Sequence, residues 1–386
     1  MSAPNGVSRV SANPWLSALL ERGYAVRNSI LGDLKFQRLA SAIPVTRWVA
    51  QRRARDVFDL CAGFVYSQIL FACVKLDLFE KLRTGPQSLP QLAATLALPV
   101  EAARRLLDAA VALKLVDKLA GDRYGLGPHG AVIAGNPGII KMVEHHSMLY
   151  ADLADPVALL RGERKSTALI DYWAYAKAEQ PRDASDERIS QYTSLMSASQ
   201  TLIAEEIIAA YPMGGHRRVL DIGGGDGTFL RAVGARFPNL QLTLFDLPAV
   251  AARAQLQFEA QGQSDRTSTI GGDFFRDSLP RGHDLVSLVR IIHDHDDEPV
   301  RLLFSNVREA LSEGGRLIIA EPMSEPGPAQ AVGDAYFGFY LMAMGSGRPR
   351  SPATIMSMLR SESYVNVRQV KTRMPLQTGL IIADVQ

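Results

Sequence analysis

Arg217-Arg218-Val219-Leu220-Asp221-Ile222-Gly223-Gly224-Gly225-Asp226-Gly227-Thr228-Phe229-Leu230 is the stretch on which the fold reading turns. An apolar strand runs into a glycine-dense turn and then into a helix, and the missing Cβ atoms let the backbone approach a ligand closely. Around it the texture alternates. Strands are expected at 217–222, 240–246, 284–292 and 316–322, with helices between them. That alternation predicts an α/β domain built on a doubly wound, mostly parallel, Rossmann-like sheet.

The glycine spacing narrows the ligand. Gly223-x-Gly225-x-Gly227 is present, whereas a dinucleotide fingerprint would need glycine at Asp226 or Thr228, and no Gly-Lys-Ser/Thr follows to make a nucleotide triphosphate loop. The next strand closes on Asp246, where a carboxylate can accept both ribose hydroxyls of an adenosine. The one after it gives Gly272-Asp273-Phe274-Phe275. Asp273 would accept from an adenine amino group while Phe274 covers the ring, and an aromatic-plus-carboxylate lining also suits a sulfonium. The loop and the two acids, in order, favour S-adenosylmethionine over a set of plain turn residues.

The N-terminal half reads differently. Residues 88–130 give two short helices joined at Leu98-Pro99, then a hairpin turning at Gly121-Asp122, which is a winged-helix outline. Its second helix carries Glu101, Arg104, Arg105, Asp108 and Lys114, too weakly positive for a DNA-reading helix, so no nucleic-acid partner is expected. Residues 140–210 read as helix after helix. The apolar run Leu60–Val74 is 15 residues long with Ser67 and Gln68 at its centre, short of a membrane span, and is expected to be a buried core helix. The resulting division is a basic arm at 1–55, a helical and winged-helix dimerisation domain at 56–210, and the cofactor domain at 211–386.

In this order the segments DIGGGDG, LFDLP, GDFF, RIIHDHDDE and AEPM resemble the two-domain, cation-independent small-molecule O-methyltransferases, a family that includes the caffeate and acetylserotonin enzymes. The resemblance covers roughly residues 55–380 and implies a helical domain that dimerises and helps to close the acceptor pocket. Arg52-Arg53-Ala54-Arg55 through FDLCAGFVYSQIL, then EPMSEPG and GDAYFGFYLMAMGSGRPRS, are most similar to the hydroxyneurosporene and demethylspheroidene branch of carotenoid synthesis. That implies a 1-hydroxy carotenoid acceptor, a tertiary alcohol on a long polyene; a tetrapyrrole, polyketide or phenol is the alternative within the chemistry. A winged-helix regulator that senses the cofactor is the alternative outside it, and would need no catalytic base.

The family's general base maps onto His293 in Arg290-Ile291-Ile292-His293-Asp294-His295, with His295 where tryptophan is common. Methyl transfer needs a base as the new bond forms, and imidazole suits that task. Because an imidazole cannot fully ionise a tertiary alcohol beforehand, proton transfer is expected to be concerted with, or late in, methyl transfer. The family acid that orients the histidine maps onto Glu321; the second acid falls in Gly347-Arg348-Pro349-Arg350-Ser351, where Pro349 stands in its place. Arg290 matches a cofactor contact and Met196 a methionine near the reactive methyl. A metal reading of His293-x-His295 lacks a partner cluster, so no metal is expected. Tyr336–Met344 is an aromatic and Met-rich helix that lines either a long apolar pocket or a dimer core.

The charge balance hides an asymmetry. The chain has 386 residues and a formal charge of +2, but residues 1–56 hold nine Arg/Lys against three Asp/Glu, +6, and the remainder 33 against 37, −4. The basic excess sits in amphipathic pieces, either an arm packed on protein or a segment that meets an anionic membrane. Two cysteines, Cys61 and Cys73, make no disulfide framework, and the polar first 15 residues carry no secretory signal. A cytoplasmic enzyme is expected, with peripheral contact at the inner membrane if the arm binds lipid.

Overall fold

The computed structural model describes residues 14–177, 200–324, 330–374 and 378–386. Contacts divide the chain into two units at Ala72/Cys73. The first consists of helices: Pro14–Gly32, Leu34–Ala42, whose N-terminus is capped by the Asp33 carboxylate, and the leading part of Pro44–Lys75.

Leu60–Val74 departs from expectation. It belongs to the 32-residue helix Pro44–Lys75, of which only Cys73 and Val74 are buried, while Leu60 and Phe64 are 85% and 72% exposed. The apolar run is the end of a longer helix that continues back through the arginines. A count of consecutive apolar residues could not show that length. By length and composition this helix is long and apolar enough to cross a membrane.

In the second unit a small three-stranded sheet comes first. Its strand β1 (Gln87–Ser88) precedes the helices Leu89–Thr95 and Val100–Ala112, and β2 (Val116–Leu119) and β3 (Arg123–Leu126) follow them, in the winged-helix arrangement the sequence predicts. The large sheet is built from β4 (Arg218–Ile222), β5 (Gln241–Asp246), β6 (Thr267–Gly271), β7 (His283–Val289), β8 (Leu311–Glu321), β9 (Val365–Val370) and β10 (Gly379–Asp384). Its order is β6-β5-β4-β7-β8-β10-β9. β4 through β8 pair in parallel, and β10 runs antiparallel to both β8 and β9.

Near-continuous burial of β4, β5, β7 and β8 explains their apolar sequences, since helices cover both faces of a parallel sheet. One core layer joins Leu220, Val286, Ile319 and Phe304; the other joins Val219, Leu242, Leu285 and Phe229. Strand order reverses between β4 and β7, and a doubly wound sheet opens a crevice outside the carboxyl ends of its strands there. Gly223, Asp246, Asp273, Arg290 and Glu321 all stand at or just past those strand ends.

Candidate active site

The glycine loop is shaped by contacts that exclude side chains. Gly223, Gly225 and Gly227 have positive φ of 70°, 61° and 80°, a region that costs other residues about 1–2 kcal/mol. A Cβ at Gly224 would stand 2.6 Å from Asp221 Oδ2, and one at Gly227 2.6 Å from Phe258. The loop is tied to β5 from both ends: Gly223 N–H donates to the Phe245 carbonyl at 2.8 Å, and Gly225 N–H donates to Asp246 Oδ2 at 2.8 Å. Burial lifts the Asp246 carboxyl to about 6 against two backbone donors, Gly225 and Leu247.

Asp221 lies beneath the loop, 1% exposed. Ser287 Oγ donates to its Oδ1 at 2.7 Å, Oδ2 is buried without a hydrogen bond, and burial lifts the carboxyl to about 7. A buried carboxylate oxygen left over beside a glycine cradle matches a cationic ligand group, so the donor set fits S-adenosylmethionine. The sequence reading quoted Asp221 only as part of the strand, because its burial is a tertiary property.

Asp273 and Phe274 stand where β6 ends. Asp273 Oδ1 accepts from the Phe275 N–H at 2.9 Å, and Phe274 is half-buried with its Cε1 3.8 Å from the Cβ position of Gly223. The Phe274 ring meets those of Phe275 and His295 edge to face, at 4.6 Å and 5.7 Å. His295, 4.8 Å from Phe275, thus faces this aromatic pair.

His293 sits elsewhere, in a short 3-10 turn (Ile292–Asp294) after β7. It is 6% exposed, and Glu321, at the end of β8, is 1% exposed. Glu321 Oε1 accepts the N–H groups of Ile291 and Ile292, both at 2.8 Å. Its Oε2 lies 2.5 Å from His293 Nδ1, a charge contact whose angles fall short of a good hydrogen bond. Arg290, entering this turn, adopts φ +59°, a left-handed conformation rare outside glycine.

The other imidazole nitrogen is also taken. His293 Nε2 lies 3.1 Å from Asp294 Oδ1. Burial pulls the imidazolium down, but the charges of Asp294 and Glu321 outweigh it and lift it to about 10. Asp294, pushed up by burial, is drawn below the usual carboxylate range by His293, His295 and Arg290. The site as built is therefore a doubly held imidazolium.

Sequence reasoning named His293 and Glu321 but not Asp294 or the clamp behind them. Arg350, 3% exposed, donates to the Ile292 and His295 carbonyls at 2.7 Å each and to Asp297 at 2.9 Å. Arg348 N–H donates to the His293 carbonyl at 3.0 Å. Gly347, φ +83°, brings the two segments together, since a Cβ there would collide with the backbone of His293 and Asp294.

The Tyr336–Met344 segment packs within its own chain. Tyr340, Leu341 and Met344 join Leu149, Leu159 and Leu169 in one core cluster. Residues Ala331–Phe337 form a π-helix, a geometry that frequently marks functional sites. It sets the Phe337 ring 5.8 Å from that of His293. Tyr336 and Tyr340 hydroxyls pair with His146 and His145 Nε2, each at 2.8 Å. Met196 lies outside the described residues. Among the described residues no group of three or more His, Cys, Asp or Glu stands together as a metal site.

A glycine loop and buried acids along the carboxyl ends of this sheet, with an imidazole caged beside them, define a Rossmann-like methyltransferase. The O-methyltransferase domain matches residues 150–365, and the O-methyltransferase dimerisation domain residues 58–134. The chain belongs to the O-methyltransferase family and is an S-adenosylmethionine-dependent O-methyltransferase, with a dimerisation domain that supports a homodimer. It is 40% identical over 340 residues to demethylspheroidene O-methyltransferase of Cereibacter sphaeroides, covering 88% of this chain and 89% of that one. It is 38% identical to the enzyme of that name from Rhodobacter capsulatus, over 91% and 87%. Human N-acetylserotonin methyltransferase in complex with SAM has the same fold, with a TM-score of 0.71 at 21% identity over 86% of this chain and 97% of that one.

Proposed function

We propose that this enzyme methylates the tertiary 1-hydroxyl of an acyclic hydroxy carotenoid in carotenoid biosynthesis. The observation that carries this reading is similarity to two demethylspheroidene O-methyltransferases along about nine tenths of the chain. When bound, S-adenosylmethionine supplies a methyl group made electrophilic by its sulfonium. Gly223 and Gly225 would let the backbone close on it, Asp246 would take the ribose hydroxyls, and Asp273 with Phe274 would take the adenine. Arg290 and Met196 would complete the binding set.

His293 acts as general base through Nε2, with Glu321 fixing the ring from Nδ1. An imidazolium already paired with Asp294 has no lone pair to offer. The acceptor hydroxyl therefore replaces Asp294 at Nε2, which removes one of the two carboxylates that keep the ring charged. Its pKa then falls toward the range of a working base, and the Nε2 proton leaves with Asp294 to solvent, so that Nε2 meets the hydroxyl with a free lone pair. The acceptor proton passes to Nε2 as the new carbon–oxygen bond forms, and Glu321 stabilises the imidazolium that results.

Incubation with labelled methyl donor and a 1-hydroxy carotenoid tests the acceptor; a labelled methyl ether is expected. A phenol labelled in its place would refute the assignment. For the base, His293→Ala is expected to abolish turnover while cofactor affinity holds. His295→Ala should retain turnover, and the reverse outcome would exchange their roles.

A further inference from the structure

Fifteen of the 31 large apolar side chains that are exposed among the described residues lie between Trp15 and Val49. That is under a tenth of the chain. They fall on helical rows: Trp15, Leu19, Val26 and Ile30 at spacings of four, seven and four along Pro14–Gly32, and Leu16, Leu20 and Tyr24 at spacings of four. An apolar surface this concentrated marks an interaction site.

Charge identifies what covers it. Residues 14–55 carry eight Arg/Lys (among them Arg22, Arg27, Arg38 and Arg52) against Glu21 and Asp33. Among the described residues, none of these bases forms an ion pair with a carboxylate. Arg27 lies over the Tyr24 ring at 4.5 Å and Arg52 over the Trp48 ring at 5.7 Å. A second copy set patch against patch is a poor occupant, since it would oppose six net positive charges with six; docking of the arm on the partner's other surface is the outcome that the oligomeric-state readout below distinguishes. The next stretch, Val57–Val74, has Asp59 and no base, and from residue 58 onward the dimerisation domain begins. Among the described residues, the concentration of exposed apolar side chains and the excess of positive charge thus coincide ahead of the dimerisation domain.

We infer that residues 14–55 dock the enzyme on an anionic lipid bilayer. Trp15, Tyr24 and Trp48 seat at the headgroup level, the leucines and isoleucine enter the acyl boundary, and the arginines reach the phosphates. The segment lies on the bilayer and does not cross it, and the surface it meets is where an apolar acceptor would partition.

The test is flotation of the full-length protein with phosphatidylcholine vesicles, with and without phosphatidylglycerol. Binding to the anionic vesicles is expected, weakening as salt rises and releasable by high salt without detergent. At about fivefold per positive charge, Arg22→Gln, Arg27→Gln and Arg38→Gln together should weaken it on the order of a hundredfold. Trp15→Ser with Trp48→Ser should also weaken it. These positions are exposed, and an unchanged melting temperature establishes that the variants fold. Failure to bind anionic vesicles, equal binding to neutral ones, or release only by detergent would each overturn the inference. So would tryptophan variants that turn dimer to monomer by light scattering while lipid binding is unchanged, because a second copy would then be the occupant. Binding is read without acceptor, so its failure leaves the carotenoid assignment standing.

Discussion

Replacing Asp294 with asparagine should move the pH dependence of the reaction in a calculable direction. In the free enzyme two carboxylates hold the His293 imidazolium up at about 10. An opposite charge within a few ångströms shifts a pKa by about 1–3 units, so removing Asp294, 3.1 Å from Nε2, should lower it by about two units. At 1.36 kcal/mol per unit this is on the order of 3 kcal/mol. At pH 7 the neutral, base-competent fraction would rise from roughly one in a thousand to roughly one in ten. The assay is kcat/KM for the acceptor against pH at saturating cofactor, which reports the enzyme before acceptor binds. Its rising limb should move to lower pH by about two units in Asp294→Asn. The limb in kcat should hardly move, because in the acceptor complex Asp294 has already left Nε2. A titration of the labelled imidazole follows the same group without turnover. A kcat/KM limb that stays put, or a kcat limb that moves as far, would refute the displacement of Asp294 by acceptor.

Other consequences follow from the same geometry. Gly223→Ala places a methyl group against Ile291 in a left-handed backbone and should raise the cofactor Kd at least tenfold; Gly225→Ala meets open space and carries only the backbone strain, about fivefold. Calorimetric titration with S-adenosylmethionine reads both. Glu321→Ala leaves one buried and one half-buried N–H group without their acceptor and should cost about 3 kcal/mol in denaturant unfolding, whereas Glu321→Gln keeps an acceptor for them and should cost less. His145 is held down to about 4 by burial, with His146 adding to it. The folded state then binds fewer protons than the unfolded one below pH 6.5, so stability falls as pH drops from 6.5 to about 4, by about 3 kcal/mol in all. Melting temperatures across that window should show this slope, and His145→Gln should flatten it.

The sheet was legible because β4, β5 and β8 are apolar runs closed by a glycine or an acid, as at Ile222-Gly223 and Phe245-Asp246, and β7 is one closed by Arg290. The winged-helix outline was legible from Leu98-Pro99 and Gly121-Asp122. What composition could not register was cover. Leu60–Val74 has the apolarity of a core helix, yet burial depends on what lies opposite, and of this run only Cys73 and Val74 are buried. Asp221 was hidden for the converse reason: a carboxylate in a strand looks like an edge residue until the loop and Ser287 close over it.

The site itself departs from its sequence reading at one informative place. Pro349 stands where the resemblance implies a second acid, so the sequence reading expects one carboxylate, Glu321, at the imidazole. In the structure a carboxylate comes to the imidazole from the next residue, because the 3-10 turn over Ile292–Asp294 folds Asp294 back onto Nε2. That turn needs an anchor. Arg350 is the anchor, since its guanidinium binds the carbonyls on either side of His293 and Asp294, at Ile292 and His295. The segment 347–351 thus supplies a cation, Arg350, that holds the turn presenting Asp294. Arg350→Lys cannot span both carbonyls with a single ammonium. It should therefore lower kcat and shift the His293 limb, with little change in cofactor affinity. A variant with normal kcat and an unmoved limb would show that the turn stands without its clamp.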